Sequence, residues 1–163
     1  MSVWHLVEAQ LTARHLGLNA FISAQDGYSL LNRSVVEPDL QQVLLSHGLG
    51  LLPFFPLASG LLTGKYKLGE AYPPGSRFAA MGRLSERFTS KRNWDLTEKL
   101  QGFATERGHS LTELAFAWLA AQPAVAGIIA GATRAEQVVQ NVAAVNWALS
   151  SEELAAVDRL TGK

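Results

Sequence analysis

The sequence predicts an α/β fold built on a parallel sheet, and three observations carry that prediction. Residues 49–55 and 125–130 hold no polar side chain at all, and a strand apolar on both faces belongs inside a parallel sheet covered by helices. Segments with apolar residues at helical spacing lie between the strands and open or close on recognisable caps. The resulting order is helix, strand, helix, strand, long loop, two helices, strand, helix, helix, and such alternation implies right-handed crossovers.

Each element has its own local signal. Ser2 caps a first helix whose inward face is Val3, Leu6, Val7 and Leu11, and Gly17 ends it. Residues 19–25 read as a short buried strand closed by the turn pair Asp26-Gly27. Pro38 suits the first position of a helix; Leu40, Val43 and Leu44 form its apolar face and Gly48 its stop. After the strand at 49–55 comes the longest irregular piece, roughly residues 56–91, rich in Gly, Pro, Ser, Lys and Arg. Compact domains seldom carry so long a loop without functional use. Leu96, Leu100, Phe103 and Ala104 mark a further helix ending near Gly108. Ser110 and Glu113 form a capping box, launching a helix with Leu114, Ala115, Trp118 and Leu119 inward. Pro123 ends it before the strand at 125–130. Thr133 with Glu136, and Ser150 with Glu153, are two more capping boxes; the second starts a helix carrying Leu154, Val157 and Leu160. The tryptophans Trp94, Trp118 and Trp147 read as packing residues.

Composition bounds the function. The 163 residues suffice for one domain with a core. Formal net charge is zero, so no whole-molecule field favours nucleic acid or an anionic membrane. With no cysteine there is no disulfide, thiolate metal site or thiol nucleophile, and the four scattered histidines lack metal-ligand spacing. No apolar run approaches a membrane-spanning length, which makes the cytoplasm the expected compartment. The cations Arg77, Arg83, Arg87, Lys91 and Arg92 come without an aromatic ladder and read as a solvated loop, not a nucleic-acid patch. Residues 60–66 imitate part of a phosphate loop but lack its leading glycine spacing and its Lys-Ser/Thr ending.

One stretch points to chemistry. The strand at 125–130 runs into Gly131-Ala132-Thr133-Arg134, a turn that opens a helix. Free backbone N–H groups at a helix start attract phosphate, and Arg134 adds full positive charge. The amides of Gln137, Gln140 and Asn141 are placed to read a base or a ribose. Together they describe a nucleotide phosphate clamp. A sheet of three apolar strands, moreover, cannot close a barrel and leaves two adhesive edges; a complete (β/α)8 barrel takes roughly 250 residues. The chain therefore reads as part of something larger.

Three motifs then carry a family resemblance. They are Gln25-Asp26-Gly27-Tyr28-Ser29-Leu30-Leu31-Asn32-Arg33, the run from Pro53 through Pro56-Leu57-Ala58-Ser59-Gly60 to Lys65-Tyr66, and Gly131 through Gln137 to Asn141. In this order and spacing the chain resembles the aldo-keto reductases, nearest to the bacterial oxidoreductase branch that includes the potassium-channel β subunits. The resemblance covers the whole chain. It implies a single partial domain over residues 1–163: the C-terminal portion of a (β/α)8 TIM barrel, about strands 6–8 and their helices, the first helix following strand 5.

Position by position, the resemblance implies cofactor-binding roles. Gln25 matches the glutamine that bonds the nicotinamide carboxamide. Phe54 matches the aromatic residue, usually tyrosine or tryptophan, that stacks on the nicotinamide ring. Pro56, Leu57, Ala58, Ser59 and Gly60 match the loop beneath the pyrophosphate, while Lys65 and Arg77 match basic residues of the loop folding over the dinucleotide. Gly131, Thr133, Arg134, Gln137, Gln140 and Asn141 match the set around the adenosine and its 2′-phosphate, with Gln140 standing where many members carry glutamate. An arginine against that phosphate favours NADPH over NADH.

The departure from the family pattern is as informative. The family's catalytic aspartate, tyrosine, lysine and histidine lie on its first four strands, to which nothing in this sequence corresponds, and its carboxamide-gripping Ser-Asn pair would fall just before Met1, at what looks like an internal methionine. Tyr28, Tyr66 and Tyr72 are not at the proton-donor position, and hydride transfer to a carbonyl needs such a donor. No catalytic residue and no metal ligand is assigned. The expectation is the NADPH-binding half of an aldo-keto reductase, inactive alone, that meets an aldehyde or ketone only together with the missing N-terminal half. Self-association through the open sheet edges is expected; nucleic acid and membrane are not. Two rival readings stand: a non-catalytic half-barrel that binds NADP or mediates interactions, and a different TIM-barrel fragment binding a phosphate sugar.

Overall fold

A computed structural model describes residues 2–163, the side chain of Leu84 aside. Helix α1 (Val3–Leu16) leads to strand β1 (Ser23–Gly27), then α2 (Asp39–Ser46) and strand β2 (Gly50–Phe54). A 3-10 segment (Ala58–Thr63) follows, then α3 (Arg77–Ala80), α4 (Gly82–Phe88), α5 (Lys91–Thr105) and α6 (Leu111–Ala120). Helix α7 (Ala135–Ala143), a 3-10 turn (Ala144–Asn146) and α8 (Ser151–Thr161) complete the order. No helix among the described residues is long and apolar enough to cross a membrane.

The sheet is parallel but smaller than expected. β1 and β2 pair with Gln25 opposite Leu52 and Gly27 opposite Phe54. The strand expected at 125–130 is not regular. Its backbone follows β2 through Leu51 N to Ala124 O (2.7 Å), Ala126 N to Leu51 O (2.9 Å) and Ile129 N to Pro53 O (2.9 Å), but it forms only one bridge, Leu51 with Val125. A segment bonded along one edge, with Gly127 at its centre, has little to hold it in a full pleat. β1 likewise begins at Ser23, later than the expected residue 19.

Two other expectations change. The stretch 56–91 is not one irregular loop: it carries the 3-10 segment, α3 and α4, and buries Leu61, Leu62, Tyr66, Phe78 and Phe88. Those residues follow no steady period, so the sequence hid short helices that tertiary packing stabilises. On α1 the inward face is Leu6, Gln10 and Ala13, while Leu11 is exposed. Gln10 replaces it because its carboxamide donates to Phe21 O (2.9 Å) and accepts from Phe21 N (3.1 Å), tying the helix to the chain entering β1. The Ser110–Glu113 and Ser150–Glu153 capping boxes form as expected, and Gly17 closes α1 in the left-handed region.

The core lies on one face of the sheet. Leu51, Leu44, Leu100, Leu114, Trp118 and Val157 are fully enclosed, so β2, α2, α5, α6 and α8 share one interior. Sequence alone predicted helices over both faces of β2. In the structure Leu51 and Pro53 are buried, but Leu52 and Phe54, on the other face, are only half-buried.

A polar cluster fastens the last helix. Arg33 bonds Glu37 twice (Nε 3.0 Å, Nη2 2.9 Å) and reaches α8 through Asp158 (2.7 Å) and Thr161 Oγ1 (2.6 Å). Tyr28 donates to Glu37 at 2.5 Å, Lys163 Nζ lies 3.1 Å from the same carboxylate, and the guanidinium covers Trp118 at 4.9 Å. Burial alone would raise the Glu37 carboxyl, but hydrogen bonds from Arg33, Tyr28 and Lys163 outweigh it and hold it below the usual 4.5. Its contribution is therefore complete above about pH 4.5 and is lost as pH falls through the lower folded value. Glu37→Gln should cost about 2 to 3 kcal/mol of stability at neutral pH, because it leaves Arg33 half-paired in a nearly closed site. Urea titrations between pH 3 and 7 should show a flatter acid limb for that variant than for the parent.

Candidate functional site

Parallel pairing determines where the predicted residues meet. β1, β2 and the 124–129 stretch run the same way, so their carboxyl ends emerge on one side. In open parallel sheets that is the side where ligands bind, outside the strand ends. Gln25 is exposed near the end of β1, and the register puts it on one face with Leu52 and Phe54. Phe54 ends β2 with its ring 5.3 Å from Phe55, edge to face. A Cβ on Gly27 would stand 3.3 Å from the Phe54 ring, so the missing side chain leaves that ring its place.

The next loop is strained. Phe55, Ala58 and Ser59 adopt φ of 55°, 46° and 59°, and Gly60 follows at 100°. Left-handed backbone in non-glycine residues costs of order 1–3 kcal/mol each and collects at ligand-binding segments. Pro56, Ala58 and Ser59 are buried, and Leu57 and Gly60 half-buried. Ser59 Oγ is enclosed and finds no hydrogen-bond partner among the described residues. A buried hydroxyl of this kind calls for an explanation. A Cβ on Gly60 would meet Lys65 Cε at 3.1 Å, Nζ at 3.2 Å and the Tyr66 ring at 3.3 Å. The loop thus offers tightly turned backbone, an unspent hydroxyl and a lysine folded over its glycine.

The second cluster forms around residue 131. Arg77 Nη2 lies 3.7 Å from where a Cβ on Gly131 would stand, which brings the 77 and 131 segments together. Lys65, Arg77 and Arg134 are exposed, and no carboxylate among the described residues lies within ion-pair distance of any of them. The expected Thr133–Glu136 capping box does not form. Arg134 takes the N-cap position, and Gln137 Oε1 accepts from Thr133 N (2.8 Å) and Thr133 Oγ1 (3.2 Å). With the cap at Arg134, one residue later than expected, Gln137 occupies the third helical position and reaches back to the residue before the cap, so one turn amide is already engaged. Gln140 is exposed, whereas Asn141 lines a groove of about 550 Å³ with Phe116, Ile128, Val138, Val142 and Val145.

Sequence reasoning missed the aromatic support beneath this region. Tyr66 stacks on Phe78 at 4.3 Å, and Tyr72 meets both edge-on. Those residues are separated by irregular spacing, so only their composition pointed to burial. Tyr28 spends its hydroxyl within the core, donating to Glu37. Burial and its bond to Glu37 drive the phenol well above its usual range.

Small residues, left-handed turns and three cations without ion pairs among the described residues stand near the carboxyl end of the parallel sheet, a chemistry able to hold an anion. The aldo/keto reductase family pattern matches residues 1–161. This chain belongs to the aldo/keto reductase family, whose fold is a (β/α)8 barrel and whose members are oxidoreductases. It is similar to "L-glyceraldehyde 3-phosphate reductase" of Escherichia coli O157:H7, at 39% identity over 83% of the chain and 40% of that protein. It is also similar to "Probable voltage-gated potassium channel subunit beta" of rice (Oryza sativa subsp. japonica), at 38% over 89% of the chain and 44% of that protein. "Uncharacterized oxidoreductase YrpG" of Bacillus subtilis matches at 32% over 93% of the chain and 44% of its own length. The chain thus spans less than half the length of these relatives.

Gly60→Ala should displace Lys65 and strain the turn, lowering stability by about 1 to 2 kcal/mol. Thermal denaturation beside the parent checks this, and a change within a few tenths of a kcal/mol would show that the turn relaxes freely.

Proposed function

We propose that these residues are the NADPH-binding half of an aldo/keto reductase, corresponding to about strands 6–8 of its barrel. What supports the reading most is the convergence of three motif segments at one sheet end, beside a strained loop with an unspent buried hydroxyl. In this reading Gln25 and Phe54 hold the nicotinamide, by hydrogen bond and by stacking respectively. The turn at 56–60 lies under the pyrophosphate, with Lys65 and Arg77 over it. Thr133, Arg134, Gln137, Gln140 and Asn141 surround the adenosine, and Arg134 meets the 2′-phosphate. The bound nicotinamide supplies hydride for an aldehyde or ketone carbon. This chain's part is to bind, orient and neutralise charge, while the family's proton donor lies on strands outside these residues. The 163 residues alone should therefore bind NADPH without turning over a carbonyl substrate.

Fluorescence titration with NADPH and NADH tests the reading. Arg134→Ala should weaken NADPH about tenfold or more and leave NADH nearly unchanged, since a charge-assisted contact to one phosphate is at stake. Equal losses for both would remove Arg134 from the 2′-phosphate. Failure of the parent chain to bind either nucleotide would overturn the reading, and carbonyl reduction by the chain alone would overturn its non-catalytic part.

The same reading includes self-association. Ile22 is 84% exposed and Val139 70% exposed, with Leu18, Phe21 and Val142 also in water. Leu18, Phe21 and Ile22 precede a β1 edge that pairs with no strand among the described residues, while Val139 and Val142 lie on α7; such apolar surface favours contact with another chain. Sedimentation across a concentration series should show oligomers. A sharp, monomeric unfolding transition would oppose it.

A further inference from the structure

We propose that Tyr66 is a positioning residue for Arg77, setting the guanidinium against the 131–134 turn; the inference rests on the nucleotide-site reading above. Arg77 opens α3, a helix of only four residues. Its own side chain is exposed and makes no ion pair among the described residues, so nothing at its tip fixes it. Its neighbours in sequence do the fixing. Ser76 is buried, caps the helix by accepting from Ala79 N at 3.3 Å, and donates its own N–H to Pro73 O at 3.0 Å. Phe78 is buried against Tyr66, the rings 4.3 Å apart and 14° from parallel, with Tyr72 edge-on to both.

The decisive contact is Phe78 N donating to the Tyr66 hydroxyl at 3.3 Å, in a buried setting. The first N–H groups of a helix have no intrahelical partner. In a single-turn helix, which has almost no stability of its own, that external acceptor fixes the backbone from which Arg77 projects. Tyr66 itself is anchored in the core, 4% exposed. It follows directly on Lys65, whose ammonium lies 5.0 Å from the Tyr66 ring centre. One buried phenol therefore stands behind both Lys65 and Arg77 and anchors α3, while Arg77 reaches the Gly131 segment.

The test is a double-mutant cycle on the 163-residue chain, read by NADPH titration. Tyr66→Phe keeps the ring and removes only the acceptor. It should weaken NADPH about fivefold, the worth of one net hydrogen bond. Arg77→Ala should weaken it at least as much. In the Arg77→Ala background, Tyr66→Phe should add nothing further, although its effect on melting temperature persists. A structural role alone would give the same affinity loss in both backgrounds, and that result overturns the proposal. So does an unchanged affinity in Tyr66→Phe. A second readout needs no cofactor: the Gly131 amide resonance should shift in Tyr66→Phe and not when the change is made on Arg77→Ala. Phe78→Leu, which keeps the amide but removes the stacked ring, serves if Tyr66→Phe fails to fold, with the same pattern expected. Failure of the parent chain to bind NADPH would be a different outcome, overturning the nucleotide reading and this inference with it.

Discussion

Everything in this structure hangs on β2 being hydrogen-bonded along both edges. On one side it meets β1, with Gly50 N donating to Ile22 O and Tyr28 N to Phe54 O; on the other, Leu51 and Pro53 hold the 124–129 backbone. Gly50 is what lets the second neighbour so close, since a Cβ there would stand 2.6 Å from that of Ala126. Because all three run parallel, the loops after them open to the same side. The candidate site follows from that direction before any side chain is considered.

The covered and uncovered faces of the sheet do different work. Beneath it, Leu51 joins an apolar interior with Trp118 and Leu114, and this side supplies the hydrophobic stabilisation. The other face keeps Gln25 exposed and Leu52 and Phe54 half-buried, presenting one amide and one ring beside each other. In the family fold such faces line a closed barrel.

Stability and strain are also separated along the chain. The Arg33–Glu37–Asp158 cluster ties the segment after β1 to the last helix, far in sequence from the 55–60 turn. The left-handed residues of that turn persist because Leu61, Leu62 and Tyr66, immediately beyond it, are anchored in the core. A rigid base holding a strained turn is the arrangement expected of a binding loop.

The sequence by itself determined the parallel α/β class, the cap positions at Ser110, Ser150 and Gly17, and the identity of the motif residues. Those follow from local rules, namely periodicity, capping chemistry and apolar runs, that need no knowledge of what packs nearby. Only the tertiary structure decided that residues 125–130 follow β2 without becoming a strand, since one-sided bonding is a property of neighbours, not of Val125 or Ile128. It alone decided that Gln10 faces inward, that Gln137 and not Glu136 holds the Thr133 amide, and that residues 56–91 fold into short helices. Each of these depends on a partner distant in sequence or on a backbone angle no pattern encodes. The proximity of Arg77 to Gly131 has the same origin: 54 positions part them in the chain, and only the folded backbone brings them together.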